Sequence, residues 1–139
     1  MKYKVFDDTV VVRLFKGEEL VSSLMELCEK EDIKLGCVTG LGAADYAVAG
    51  LFDTDKKQYY KNVFTGDMEI VSLVGNITQM NGAPYLHLHA SFADKSGAVK
   101  GGHLNEAVIS ATAEIFITKI TGQVSRAPDP DIGLNMLDM

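Results

Sequence analysis

The chain has 139 residues, 47% hydrophobic and 23% charged, which is the balance of one ordinary globular domain. Thirteen basic against nineteen acidic residues leave a formal charge of −6, which argues against nucleic-acid binding, since that affinity comes from Lys and Arg displacing counterions. The lysines are dispersed, with no run longer than Lys56–Lys57, and no segment nears the roughly 18 apolar residues that span a bilayer.

The opening stretch MKYKVFDDTV lacks the uninterrupted apolar core of a signal peptide, so a cytoplasmic location away from membranes is expected. Val10–Phe15 is β-branched and apolar apart from Arg13, and predicts a strand. Gly17, Glu18 and Glu19 then open a helix, with the two acids in its first turn where the helix dipole favours them. Leu20, Leu24, Leu27 and Cys28 repeat at helical spacing, widened by Val21 and Met25, and this stripe should pack on a sheet. Cys28 on that stripe and Cys37 in a following apolar strand read as small core residues rather than as a disulfide.

Beyond the helix the pattern changes to strands at Ile33–Gly42, Tyr46–Phe52, Lys57–Phe64, Met68–Gln79, Pro84–Phe92, Ala98–His103 and Val108–Ile120. Turns are expected at Asp53–Asp55, Thr65–Asp67, Asn81–Gly82 and Asp94–Gly97. Strands joined by short turns must be antiparallel neighbours. The expectation is therefore a single α+β domain over 1–139: a mostly antiparallel, curved or barrel-like sheet with one principal helix against it. Gly40 and Gly42 lack the third glycine and the following helix of a dinucleotide fingerprint, and read as a strand bend or bulge. The tail 126–139, with Pro128 and Pro130, is expected to be extended or loosely packed.

The chain's three histidines fall within 17 consecutive positions, His87 to His103. His87 and His89 lie two apart on one strand, so their side chains share a face with Cα atoms about 6.5–7 Å apart. If Lys95–Ser96–Gly97 forms a three-residue hairpin loop with Gly97 in the left-handed region, His103 falls opposite His89, on the face of His87. A two- or four-residue loop would turn His103 to the other face. Three imidazoles with an open fourth position suit a divalent metal, zinc above others. The plainer alternative is a set of hydrogen-bonded core histidines. Glu69 and Glu114 interrupt apolar strands, as Arg13 does. In an enzyme, a Glu could act as general base and Arg13 could hold a small anionic substrate; otherwise the three face solvent or form an ion pair.

The runs GDMEIVSLVGNIT (Gly66–Thr78), PYLHLHASFADKSGAVKGGHL (Pro84–Leu104) and TAEIFI (Thr112–Ile117) resemble the prokaryotic form of the PPC (plants and prokaryotes conserved) domain family. VTGLGA (Val38–Ala43) and the helix start at Gly17–Glu19 match it too, so the resemblance covers nearly the whole chain. Where the family often carries a turn glycine after GGHL, this chain has Asn105–Glu106–Ala107. The resemblance implies a homotrimer with metal sites built from histidines like His87, His89 and His103 near subunit boundaries, and no established reaction. It implies a protein-association role in plant relatives, where the domain follows an AT-hook; this chain has no such DNA-binding element. The fold is also similar to that of acetolactate decarboxylase, which uses a three-histidine zinc site. Three functional readings follow: a metal-binding homotrimer that takes a small ligand or protein partner, a metal-dependent lyase or hydrolase acting on a small anion, and a nucleic-acid binder.

Overall fold

The computed structural model describes residues Met1–Met139. Two short strands, β1 (Lys2–Phe6) and β2 (Thr9–Phe15), form a hairpin around Asp7–Asp8, with Asp7 in the left-handed region at φ 45°. The β1 strand escapes a hydrophobicity scan because most of its residues are exposed and two are lysines.

The single helix, α1 (Leu20–Lys30), starts after Gly17, Glu18 and Glu19, the residues expected to open it. Glu18 and Glu19 are not in its first turn. Glu19 is the N-cap: its backbone is extended, and its carboxylate accepts hydrogen bonds from the Val21 and Ser22 amides at 2.9 and 2.6 Å. The same carboxylate accepts the Ala107 amide at 3.1 Å, which ties the helix start to the sheet. Glu18 instead binds the Met1 amino group and the Phe15 amide. Cap bonds satisfy amides that the first helical turn leaves without partners, which makes this position more useful to a carboxylate than an interior one. The expected stripe is buried: Leu20, Leu24, Leu27 and Cys28 are each at most 1% exposed. They join one apolar core with Val10, Val12, Ile115 and Ile117 of the sheet.

Long bent strands make up the rest. These are β3 (Gly36–Asp53), β4 (Gln58–Met80), β5 (Ala83–Ala93) and β6 (Val99–Lys119). β3 pairs with both β4 and β6, and β5 pairs with the same two, so the four strands close a ring. The sheet path continues outward through β2 and β1 on one side. Antiparallel pairing throughout this ring bears out the expected curved sheet with one helix.

Three expected breaks are absent. The gap before Tyr46, the turn at Thr65–Asp67 and the break at Leu104–Ala107 are irregularities inside continuous strands. β3 and β4 are interrupted together, between Ala44 and Tyr46 on one and around Gly66 on the other, so they bend as a pair and stay paired. At Asn105 the ladder skips one residue between Val48↔Glu106 and Ala49↔Leu104, a bulge. Register shifts at Gly40/Gly42 and Gly42/Ala44 bear out the structural reading of those glycines. Cys28 is buried, and burial pushes its thiol up to about 12; Cys37 is exposed, contrary to the core position expected for it.

The tail is extended and paired with itself. β7 (Ser125–Asp129) and β8 (Leu134–Asp138) form an antiparallel hairpin, attached to β4 by a parallel contact at Gln79↔Ser125 and a 2.9 Å bond from the Gln79 amide to the Val124 carbonyl. No helix of the chain is long and apolar enough to cross a membrane.

Candidate metal centre

Residues along β5 alternate cleanly. Leu88, Ala90 and Phe92 are buried in the core, which puts His87, His89 and Ser91 on the outer face of the ring. The β5–β6 hairpin sets the third histidine. Asp94 and Ala98 flank the loop Lys95–Ser96–Gly97, with the Asp94 amide bonded to the Ala98 carbonyl at 3.1 Å and the Gly97 amide to the Asp94 carbonyl at 2.8 Å. The Asp94 carboxylate accepts the Ser96 amide and hydroxyl at 2.8 and 2.5 Å. Gly97 lies at φ 80°, the left-handed conformation that closes a three-residue loop. Counting back, Ala93 pairs with Val99 and His89 with His103, which is the register expected from the sequence.

The three rings meet. Their centroids are 5.1 Å apart for His87–His89, 5.1 Å for His87–His103 and 5.5 Å for His89–His103. One nitrogen from each ring lies within 4.8 Å of the other two. Burial holds His87 well below its ordinary value, to about 4, with the nearby His103, Arg126 and His89 adding to the effect. Burial first, then His89 and Arg126, also lower His103. Both rings are therefore neutral at neutral pH and hold a lone pair, as metal ligands must. Tetrahedral zinc with bonds of about 2.0–2.1 Å needs donors about 3.3 Å apart, within reach of small ring rotations. The donor set and its spacing fit a divalent ion.

Neighbours on β3, β4 and the tail fix the rings. Gly50 lies opposite His103, and the residue before His103, Gly102, sits so close to β3 that a Cβ there would be 2.5 Å from the Gly50 carbonyl oxygen. Tyr59 meets His103 edge-on at 6.1 Å between centroids. Its hydroxyl lies 2.8 Å from Asn105 Oδ1 and 3.2 Å from the His103 carbonyl. Arg126 of β7 reaches the cluster from the tail: Nε donates to Thr78 Oγ1 (2.9 Å), Nη1 to the Asn135 carbonyl (2.7 Å) and Nη2 to Asn76 Oδ1 (2.9 Å). Nη2 also lies 3.4 Å from His87 Nδ1, and the guanidinium stacks 4.9 Å over the Tyr85 ring. A groove of about 320 Å³ opens beside His89, lined among others by Ser72, Val74, Ser91, Lys100 and Gly101.

Arg13, Glu69 and Glu114 are elsewhere. Arg13 pairs with Glu114 across the β2–β6 ladder, both exposed, and stacks over Phe15 at 5.0 Å. Glu114 is eleven residues along β6 from His103, on the order of 30 Å of strand. Glu69 is exposed and pairs with Ala93, four residues beyond His89. None of the three takes part in the chain's ion pairs, so the solvent-facing alternative describes them. Sequence reasoning missed Arg126 and Tyr59. No local pattern signals Arg126; it is placed by the pairing of Ser125 with Gln79, far away in the sequence.

The family model of the Plants and Prokaryotes Conserved (PCC) domain, the family also abbreviated PPC, matches residues 1–121. The chain belongs to this family. Among solved structures, a "putative DNA-binding protein" from Bacteroides thetaiotaomicron is 31% identical, with a TM-score of 0.96 over 99% of this chain and 96% of that one. A metal-containing protein from Archaeoglobus fulgidus is 31% identical, with a TM-score of 0.90 over 99% and 97%. The α-acetolactate decarboxylase of Bacillus subtilis strain 168 shares the fold at 14% identity, with a TM-score of 0.59 over 93% of this chain and 60% of that one. The bifunctional protein GlmU of Synechococcus sp. strain JA-2-3B'a(2-13) is 31% identical over 125 residues. That match takes 88% of the present PCC chain and spans 18% of the curated relative's length.

Proposed function

We propose that this PCC domain is a metal-binding homotrimer whose His87, His89 and His103 hold one divalent ion, zinc above others, and that the ion's open position takes a small ligand or a partner protein's side chain. The observation that carries this reading is the convergence of three imidazole nitrogens within 4.8 Å on an outer sheet face. Core histidines would be wrapped by apolar side chains; these stand outside the core and are partly open. The metal-containing relative from Archaeoglobus fulgidus supports the same reading.

Self-association is supported by apolar side chains left open on the strands. Leu51, Val63, Val71, Val74 and Val99 are each at least half exposed, and Val74 and Val99 flank the histidine groove. Such side chains are what a second subunit's surface would cover. A lyase or hydrolase reading loses its proposed carboxylates, because Glu69 and Glu114 lie away from the histidines. A nucleic-acid reading has the names of structural relatives in its favour and the charge of −6 against it. Elemental analysis of protein purified without chelator, combined with sedimentation equilibrium, tests the proposal. One ion per chain in a trimer is the expected result; a metal-free protein that gains no ion on titration removes the metal reading, and a monomer removes the assembly.

A further inference from the structure

Arg126 is a cation without an anion. A guanidinium carries five N–H donors, and in this structure its partners are a threonine hydroxyl, an asparagine amide, a backbone carbonyl and an imidazole nitrogen, all neutral. No ion pair includes it, although it is half-buried. No Asp or Glu joins the histidine cluster, and none lines the groove beside His89. Lys100, which also lines that groove, is likewise in no ion pair. With three neutral imidazoles around a divalent ion, the site would hold the ion's two positive charges and the guanidinium's one with nothing to balance them. Partly buried charge of one sign is costly, and it is relieved by a bound counter-charge.

The contact with His87 makes Arg126 responsive to the ion. A neutral imidazole has a single lone pair. When Nη2 donates to His87 Nδ1, that lone pair is on Nδ1 and the ring proton is on Nε2. If His87 gives its lone pair to an ion through Nε2, the proton must sit on Nδ1, where it opposes the Nη2 donor. If His87 uses Nδ1, the guanidinium is displaced outright. Either way an Nη2 hydrogen loses its acceptor. At 3.4 Å this is also the longest of the four Arg126 contacts, the others being 2.7–2.9 Å, and so the first to give.

We propose that the ligand of this site is a small carboxylate, one oxygen of which would bind the ion while the other accepts the Arg126 Nη2–H that His87 releases. A carboxylate with one oxygen on an ion keeps a second oxygen free to accept the single guanidinium hydrogen that His87 gives up, a charge-assisted bond. Arg126 lies on the hairpin β7–β8, outside the span matched by the family model. This inference rests on the metal reading given above.

The test uses the full chain loaded with cobalt(II), whose visible spectrum reports its ligands, and acetate as the probe. Wild type, Arg126→Gln and Arg126→Lys are compared, with circular dichroism to establish that each is folded. Cobalt should bind to Arg126→Gln as tightly as to wild type or more so, because a competing donor and a repelling charge are gone. Acetate should shift the wild-type spectrum, bind at least tenfold more weakly to Arg126→Gln, and recover in part with Arg126→Lys. Equal acetate affinity in wild type and Arg126→Gln overturns this inference and leaves the metal centre standing. No cobalt binding to wild type overturns both.

Discussion

His89 lies directly opposite His103 across the β5–β6 ladder, their rings nearly perpendicular at 89° and 5.5 Å apart. A pairing this direct couples metal occupancy to the hairpin's stability, because an ion held by both strands binds the folded chain and has no assembled site on the unfolded one. Zinc at about 100 times its dissociation constant should therefore stabilise the wild-type protein by about 2.7 kcal/mol. His87→Ala and His103→Ala should lose that increment along with stoichiometric metal. Urea unfolding with and without zinc measures it. An increment that persists in both variants would show that the ion binds elsewhere.

The loop that creates this register depends on one backbone conformation. Gly97 is at φ 80°, and a Cβ built there meets no atom within 4 Å, so a substitution is penalised by backbone sterics alone and not by packing. Gly97→Ala should cost about 1–2 kcal/mol, the usual cost of the left-handed region for a residue with a side chain. The shift in urea midpoint at unchanged slope reads it. A midpoint equal to wild type would mean that the hairpin closes without a left-handed residue.

The site's register was legible in the sequence because it is local. It follows from strand alternation and a loop length marked by Asp94 and Gly97, fifteen residues in all from His89 to His103. The helix and its buried stripe were legible for the same reason: one period over eleven residues. Strand ends were not. At Gly66 and Asn105 the local residues signal a turn, but β3 runs alongside and keeps the ladder going, so the outcome depends on a partner distant in sequence. Arg126 was missed for a similar reason. Its approach to His87 is fixed by the docking of Ser125 against Gln79 and by no pattern near residue 126.

Burial of the rings sets a pH dependence. The His87 pKa is lowered to about 4 from the ordinary 6.5, with burial the main cause. Between those values the unfolded chain takes up a proton that the folded metal-free chain does not, so stability rises with pH across this window and is lost as pH falls from about 6.5 towards 4. The lowered His103 adds in the same direction. The thermal midpoint of metal-free wild type should fall on acidification through this range, and that of His87→Gln should fall less. Equal profiles would mean that His87 titrates in the folded chain as it does in the unfolded one.

The interrupting carboxylates give the last expectation. Glu69 and Glu114 are both exposed, neither is in an ion pair, and neither contributes an atom to the histidine cluster. Removing an exposed, unpaired charge changes stability by about 0.5 kcal/mol or less. The double variant Glu69→Gln, Glu114→Gln should therefore bind zinc with wild-type affinity and unfold at nearly the wild-type urea midpoint. A calorimetric titration decides this. Charges in mid-strand serve here to keep an outward face wet while the alternate residues, Met68, Ile70, Ala113 and Ile115, fill the core. A tenfold loss of zinc affinity in the double variant would instead mean that one carboxylate reaches the ion and that the site has an acidic ligand beside its imidazoles.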